Sequence, residues 1–170
     1  MKSSTLLAAA LLVATLGGCS APINRPVTIN KIAVDLQLNA TDLSNLSRCQ
    51  AAKAAPGDKL AVFVPCLYLS TPSGALLVVQ DPGKQTYHTL RTLDASTVKA
   101  VAYKEMGRAK QIQLHGSSDF VVFSLLSDSE VWPANREARA AFDHLLSLGI
   151  AATEPTTMVM EYLPMKIQTY

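Results

Sequence analysis

The stretch that decides the fold is QIQLHGSSDFVVFSLL, residues 111–126. In its first half, Ile112 and Leu114 alternate with polar residues, which is the pattern of a strand with one covered side and one solvent-facing side. The second half, residues 120–126, is almost wholly apolar, and the polar residues 116–119 separate the two halves. Two strand-like runs joined by a short turn that contains glycine predict a β-hairpin.

Upstream of this hairpin, residues 59–93 contain three more strand-like runs. Residues 59–69 are apolar on both faces, which favours a strand that is covered on both sides. Pro65 interrupts this run, and because proline cannot donate to a sheet ladder, we expect a bulge or an unpaired stretch there. Turn sequences at 71–74 and 81–84, the second with Pro and Gly placed as in a type II turn, complete a predicted three-stranded meander.

The segment before the meander is predicted as a strand followed by a helix. Residues 27–38 alternate over part of their length, which predicts a half-buried strand with four apolar residues on one side, Ile32, Val34, Leu36 and Leu38. Thr41 is a suitable N-cap, and basic residues lie towards the far end, up to Pro56. A short helix that carries Cys49 is therefore predicted between Thr41 and Pro56.

The second half of the chain carries the clearest helix pattern, at residues 133–148. Its apolar stripe consists of Ala138, Ala141, Phe142, Leu145 and Leu148. Gly149 follows as a C-terminal cap. Residues 94–106 fit a helix and a strand equally well, and residues 158–170 have strand character with a break at Pro164.

Runs of consecutive strands that helices interrupt, without strict alternation, predict an α+β fold. We expect a mostly antiparallel sheet with two helices, of which the longer lies near the C-terminus. A curled sheet with the helix of residues 133–148 packed on it fits this order of elements.

The first nineteen residues have the composition of a targeting signal. Lys2 provides a positive charge, and the apolar run of residues 6–16 is eleven residues long. That run is much shorter than the ~20 residues that a helix needs to cross a bilayer. A charged start, a short apolar run and small residues before a possible cleavage site are typical of a secretory signal peptide.

The tetrapeptide Leu16-Gly17-Gly18-Cys19 resembles the lipobox of bacterial lipoproteins at all four positions. This resemblance implies a diacylglycerol in thioether linkage to Cys19, cleavage after Gly18 and acylation of the new amino terminus. Ser20, rather than Asp, follows the cysteine, and the resemblance then implies sorting to the outer membrane. The alternative is an ordinary secretory peptide that is cleaved at a nearby small residue.

The chain is accordingly divided into residues 1–18 as a lipoprotein signal peptide, 19–26 as a lipid-anchored tether and 27–170 as a single periplasmic α+β domain. Removal of the signal leaves 170 − 18 = 152 residues, enough for one domain with its own core. Loss of Lys2 leaves 14 basic against 13 acidic residues, a formal charge of +1. This balance predicts no nucleic-acid partner.

Two cysteines remain once Cys19 carries lipid, and we predict that Cys49 and Cys66 form a disulfide. An oxidising compartment favours that pairing. A redox or metal-binding pair is one alternative, although neither a Cys-x-x-Cys motif nor a histidine at ligand spacing is present. Two reduced thiols that act as small buried apolar groups are another alternative.

The remaining polar residues show no motif of a catalytic, metal or cofactor site, and none is predicted. The three histidines, His88, His115 and His144, lie in different predicted elements. Ser117 and Ser118 fit a turn, and nucleophile-elbow and phosphate-loop motifs are absent from the sequence. Trp132 is expected to join the helix start to the core, and Arg136, Glu137 and Arg139 to form the exposed side of that helix.

These observations favour a membrane-anchored periplasmic lipoprotein that binds other envelope proteins, as an accessory in cell-envelope or secretion-system assembly. One alternative is a small hydrolase of envelope material, with His88 or His115 as base beside Asp94 or Asp119. Another is a binder of small molecules or lipids. An exposed apolar patch favours the first function, a cleft that gathers His, Asp and Ser the second, and a dry internal cavity the third.

Overall fold

The computed structural model describes residues 23–128 and 133–161. Within these residues, two α-helices, α1 (Arg25–Leu36) and α2 (Asn135–Ser147), accompany ten strands and a 3₁₀ turn at Ala40–Asp42. The strands are β1 (Ser44–Ala54), β2 (Leu60–Ala61), β3 (Val64–Thr71), β4 (Gly74–Asp81), β5 (Thr86–Leu93), β6 (Ala100–Met106), β7 (Ala109–His115), β8 (Phe120–Leu126), β9 (Ala151–Ala152) and β10 (Met160–Glu161).

Eight of the strands form one sheet in the order β5-β4-β3-β1-β8-β7-β6-β9. All neighbours are antiparallel except β9, which runs parallel to β6. A separate parallel pair joins β10 to β2. The α+β prediction is therefore confirmed, with the longer helix, α2, towards the C-terminus.

The hairpin and the meander predicted from the sequence are both present. Strands β7 and β8 pair around the turn at residues 116–119, and β3, β4 and β5 pair in succession. Pro65 pairs in register with Gln50, and the β3–β4 pairing begins only at Leu67. No bulge occurs at Pro65, because β3 has a neighbour on only one side at that point, a position at which proline is tolerated.

The predicted type II turn at residues 81–84 is wrong. Gly83 does not have the positive φ that such a turn requires, whereas Gln85 has a φ of 56°. The Asp81 carboxylate accepts hydrogen bonds from the backbone N–H groups of Gly83 and Lys84, at 2.9 and 3.2 Å. The aspartate side chain therefore organises this turn.

The predicted strand at residues 27–38 is wrong, because this segment is helix α1. Pro26 lies in its first turn, where a missing N–H costs no helical hydrogen bond. Ile29, Ile32, Ala33 and Leu36 form the side that faces the protein, with helical spacing. Val34, which the strand prediction placed on the buried side, is 77% exposed. The helix also includes Arg25 and Pro26, which were assigned to the tether.

The predicted helix between Thr41 and Pro56 is also wrong. Only residues 40–42 are helical, in a 3₁₀ turn whose N-cap is Asn39, and Cys49 lies in strand β1. Apolar residues face both sides of β1, so its sequence shows no simple alternation. In the ambiguous segment 94–106, residues 100–106 form strand β6.

The two helices pack on opposite faces of the sheet. Helix α2 buries Ala138, Ala141, Phe142 and Leu145 against the face that carries Cys49 and Phe123, as its stripe predicted. Gly149 has a φ of +83° at its C-terminal end. Helix α1 buries Ile32 and Ala33 against the other face, beside Leu69 and Val78.

Two buried glutamines of β7 hold the segment before β10 against the sheet. Gln111 donates to the carbonyl of Val159 at 2.8 Å and accepts from its N–H at 3.1 Å. Gln113 accepts from the N–H of Thr156 at 2.8 Å and donates to the carbonyl of Thr157 at 3.2 Å. Their side-chain amides thus replace backbone partners that a neighbouring strand would supply. Residues 162–170 of the predicted C-terminal strand lie outside the described residues.

Candidate functional site

The face of the sheet on which α2 packs is concave. Arg91 of β5 forms an ion pair with Asp119, the residue before β8, although β5 and β8 are four places apart in the sheet. Such a contact requires the sheet to curl until its distant strands approach each other. Helix α2 covers one end of this face, where β1 begins, and the other end is open.

A groove of about 650 Å³ occupies the open end. We call it the apolar groove; its lining residues are Ala51, Ala52, Lys53, Val62, Val64, Leu90, Arg91, Asp119 and Val121. The exposed fractions are 67% for Val62, 42% for Leu90 and 40% for Val64. Apolar side chains exposed together on a protein surface are typical of a contact surface for another molecule.

Backbone irregularities direct two of these side chains outwards. Leu77 pairs with Arg91 and Val78 pairs with Thr89, so Leu90 is the extra residue of a β-bulge. A bulge re-aims the side chain that it carries. Val62 lies in the short connection between β2 and β3, outside any ladder. The local backbone therefore leaves both apolar side chains at the mouth of the groove.

Polar groups form one wall of the apolar groove. The side chains of Arg91 and Asp119 are 23% and 16% exposed, and Arg91 also donates to the carbonyl of Thr97 at 3.0 Å. Gly116 lies directly beside this pair: a Cβ there would lie 1.9 Å from Oδ1 of Asp119, so a larger residue would displace the carboxylate. Lys53 is exposed at the rim, so the groove carries two positive charges and one negative charge.

Among the described residues, the side chains proposed for a hydrolase make no hydrogen bond to one another. His115, Ser117, Ser118 and Asp119 line a shallow depression of about 290 Å³ next to the apolar groove. However, Arg91 binds both carboxylate oxygens of Asp119. The His115 ring contacts Phe120, with 4.8 Å between ring centroids, and its Nε2 is buried with no hydrogen-bond partner in the described part of the chain. Burial lowers the pKa of His115.

The other candidate acid and base residues have structural contacts instead. His88 is exposed on β5. Nε2 of His144 lies 2.9 Å from the carbonyl oxygen of Gly74. Asp94 accepts hydrogen bonds from Ser96 and Thr97 in the turn after β5, and the Ser96 hydroxyl is the main cause of its lowered pKa. Within residues 23–128 and 133–161, no hydrogen bond joins a histidine ring to a hydroxyl or a carboxylate.

Cys49 and Cys66 form a disulfide, as predicted. They face each other across the β1–β3 ladder, with 4.8 Å between their Cα atoms. Both are buried on the concave face, between α2 and the apolar groove. The described residues contain no cluster of three or more His, Cys, Asp or Glu side chains that could hold a metal ion. Cys19 lies outside the described residues.

The surface of α2 is charged. Arg136, Glu137 and Arg139 are exposed, as the sequence predicted, and Arg139 forms an ion pair with Asp143 at 3.1 Å. The Arg139 guanidinium also lies 5.6 Å from the centroid of the Tyr103 ring. These contacts are ordinary for the solvated face of a helix. Trp132 lies outside the described residues.

A second groove, of about 500 Å³, lies on the opposite face of the sheet beside α1. Polar side chains contribute much of its lining, among them Thr28, Arg48, Gln50 and Gln80. Both grooves are open to solvent, whereas a carrier of small molecules surrounds most of its ligand.

Sequence reasoning did not identify the apolar groove. The available signal was the run of apolar residues at 60–64, which extends beyond what β3 itself can bury. None of the described helices is both long enough and apolar enough to span a membrane. Comparison of the chain with models of protein families and with curated protein sequences found no match.

Proposed function

We propose that this chain is a bacterial lipoprotein, anchored through Cys19 in the outer membrane and facing the periplasm. We further propose that it binds another envelope protein through the apolar groove, as an accessory in cell-envelope or secretion-system assembly. The observation that carries this proposal is the exposure of Val62, Val64 and Leu90 around one groove. The lipobox and the disulfide, which suits an oxidising compartment, support it.

The shape and charge of the groove indicate the chemistry of its partner. A volume of about 650 Å³ accepts a few side chains of an extended segment. Lys53 and Arg91 outweigh Asp119, so the groove is positive overall. The best complement is an apolar segment with a carboxylate beside it, because the carboxylate can meet Lys53 at the rim while apolar groups bury Val62 and Leu90.

Anchoring makes a small contact surface sufficient for binding. A lipid on Cys19 would confine the protein to the membrane surface, which raises its effective concentration towards partners in the same membrane. Two or three acyl chains are needed for stable attachment, since one chain of myristoyl length holds only marginally.

Site-specific photocrosslinking in cells tests the role of the groove. With a benzoylphenylalanine residue in place of Leu90, we expect one dominant adduct. Val62→Asp in the same chain should reduce this adduct about tenfold, because it places an unpaired carboxylate in an apolar contact. Met106→Asp is the matched control, since Met106 is 51% exposed outside the groove lining. Equal adduct yields from the two aspartate variants would refute binding through the groove.

Mass spectrometry and density-gradient fractionation test the anchor. The mature chain should begin at Cys19, carry fatty acid and sediment with outer-membrane vesicles. Cys19→Ala should remove the fatty acid and leave the signal peptide uncleaved. A soluble parent chain without fatty acid would contradict the anchor, whatever the crosslinking shows.

A further inference from the structure

Helix α1 exposes two apolar side chains on the side that faces away from the sheet. Val34 is 77% exposed and Val27 is 61% exposed, and they lie seven residues apart, so both point away from the sheet. Leu38, just beyond the end of the helix, is 42% exposed. The outer side of the helix thus combines two exposed valines with the polar residues Asn30 and Lys31 that lie between them.

The charged residues near this side do not obstruct an apolar contact with lipid. The neighbours of Val34 on the outer side are Asn30 and Lys31, and neither is acidic. Asp35 lies nearer the sheet, where its carboxylate accepts from the N–H of Tyr87 at 2.9 Å and from Lys31 at 3.1 Å. Exposed apolar side chains beside a lysine can contact the interface of an anionic bilayer, because the apolar groups enter the acyl boundary while the lysine meets the headgroups.

The position of α1 in the chain identifies what covers this side. The helix begins at Arg25, six residues after Cys19. Six residues span at most about 20 Å, whatever their conformation, which is close to the length of α1 itself, about 18 Å for twelve residues. A lipid on Cys19 therefore keeps α1 within one helix length of the bilayer surface.

We propose that the outer side of α1, formed by Val27, Val34 and Leu38, lies in the interface of the phospholipid bilayer that holds the anchor. This inference rests on the proposed lipid anchor and adds an orientation to it. Three apolar side chains bind a bilayer weakly by themselves, and the anchor supplies the effective concentration that makes the contact persist.

The proposed contact sets the direction in which the apolar groove faces. Helix α1 packs on the face of the sheet that carries Leu69 and Val78, whereas the groove lies on the face that carries Val64 and Val121. With α1 against the lipid, the sheet separates the groove from the membrane. The groove then opens towards the periplasm, where a partner can reach it.

Tryptophan fluorescence with brominated phospholipid tests the orientation. Cys19 is the only thiol outside the disulfide, so the chain from residue 19 to 170 can be coupled through it to a maleimide phospholipid. Vesicles of phosphatidylcholine and phosphatidylglycerol, with and without bromine on the acyl chains, then receive two variants. Val34→Trp carries the probe on α1, and Arg136→Trp carries it on the exposed side of α2.

We expect bromine to quench the added fluorescence of Val34→Trp at least about twofold and to leave that of Arg136→Trp unchanged, with the parent chain, which holds only Trp132, as background. Adding Val27→Asp to Val34→Trp should remove most of the quenching. Equal quenching at positions 34 and 136 would overturn the orientation, and so would quenching that Val27→Asp does not change. Because the lipid is attached chemically in this experiment, its result does not depend on whether cells attach lipid to Cys19, which the mass spectrometry above tests.

Discussion

Reduction of the Cys49–Cys66 disulfide should lower the free energy of unfolding by about 3 kcal/mol. The two cysteines are 17 residues apart in sequence, and closing a loop of that length removes about 10 cal/mol/K of entropy from the unfolded chain. In the folded protein, the β1–β3 ladder holds the two cysteines in place. The loss therefore arises in the unfolded state, and it corresponds to a fall in Tm of about 10 °C.

The assay is urea unfolding followed by circular dichroism, with and without reductant. Cys49 and Cys66 are 2% and 6% exposed, so the protein is unfolded in reductant and then refolded before the measurement. The denaturant slope should rise on reduction, because an open chain exposes more surface. The variant with both cysteines replaced by alanine should lose about 1–2 kcal/mol more, since two buried sulfur atoms are missing. A loss below about 1 kcal/mol on reduction, with an unchanged slope, would refute the loop-entropy reasoning.

Three further predictions concern the scaffold. Gly74→Ala should lower the unfolding free energy by about 1–3 kcal/mol in thermal melts, because its Cβ would lie 2.5 Å from the carbonyl oxygen of Leu93. Gly83→Ala is the control and should be nearly neutral, since no atom lies nearer than 3.4 Å to a Cβ at that position. Burial lowers the pKa of His115 from 6.5, so below that pH the unfolded chain binds a proton more readily than the folded chain does, and stability should fall as the pH drops through 6.5. His115→Gln should show a smaller loss of stability in melts recorded at several pH values. An identical pH profile for the variant and the parent chain would contradict this reasoning. Gln113→Leu should lower stability by about 1 kcal/mol, because the partly buried backbone groups at residues 156–157 lose their partner. Hydrogen exchange should then accelerate in that segment, and unchanged protection would be evidence against this role of the glutamine.

Three parts of the fold could be predicted from local sequence because their patterns have a single interpretation. The β7–β8 hairpin follows from alternation around a polar turn, and α2 follows from one apolar stripe that ends at Gly149. The pairing of Cys49 with Cys66 followed from the count of cysteines, because the resemblance of residues 16–19 to a lipobox implies that Cys19 carries lipid.

Helix α1 and strand β1 could not be predicted correctly, because each carries apolar residues on two sides. In residues 27–38, Ile32, Val34 and Leu36 recur at every second position, as in a strand, although the segment also fits the period of a helix. Packing against Leu69 and Val78 selects the helix, in which Ile32 is buried and Val34 is exposed. Strand β1 is covered on both faces by groups from elsewhere in the chain, and this removes the alternation that identifies a strand.

The sequence by itself determined the class of fold, the cystine and the similarity of residues 16–19 to a lipobox, because these depend on short stretches or on residue counts. The apolar groove was determined only by the tertiary structure. Its walls combine the β5 bulge at Leu90, the connection at Val62 and the ion pair between Arg91 and Asp119, which are 28 residues apart. The curl of the sheet brings these groups together, and curl results from the packing of many residues, which no local pattern records.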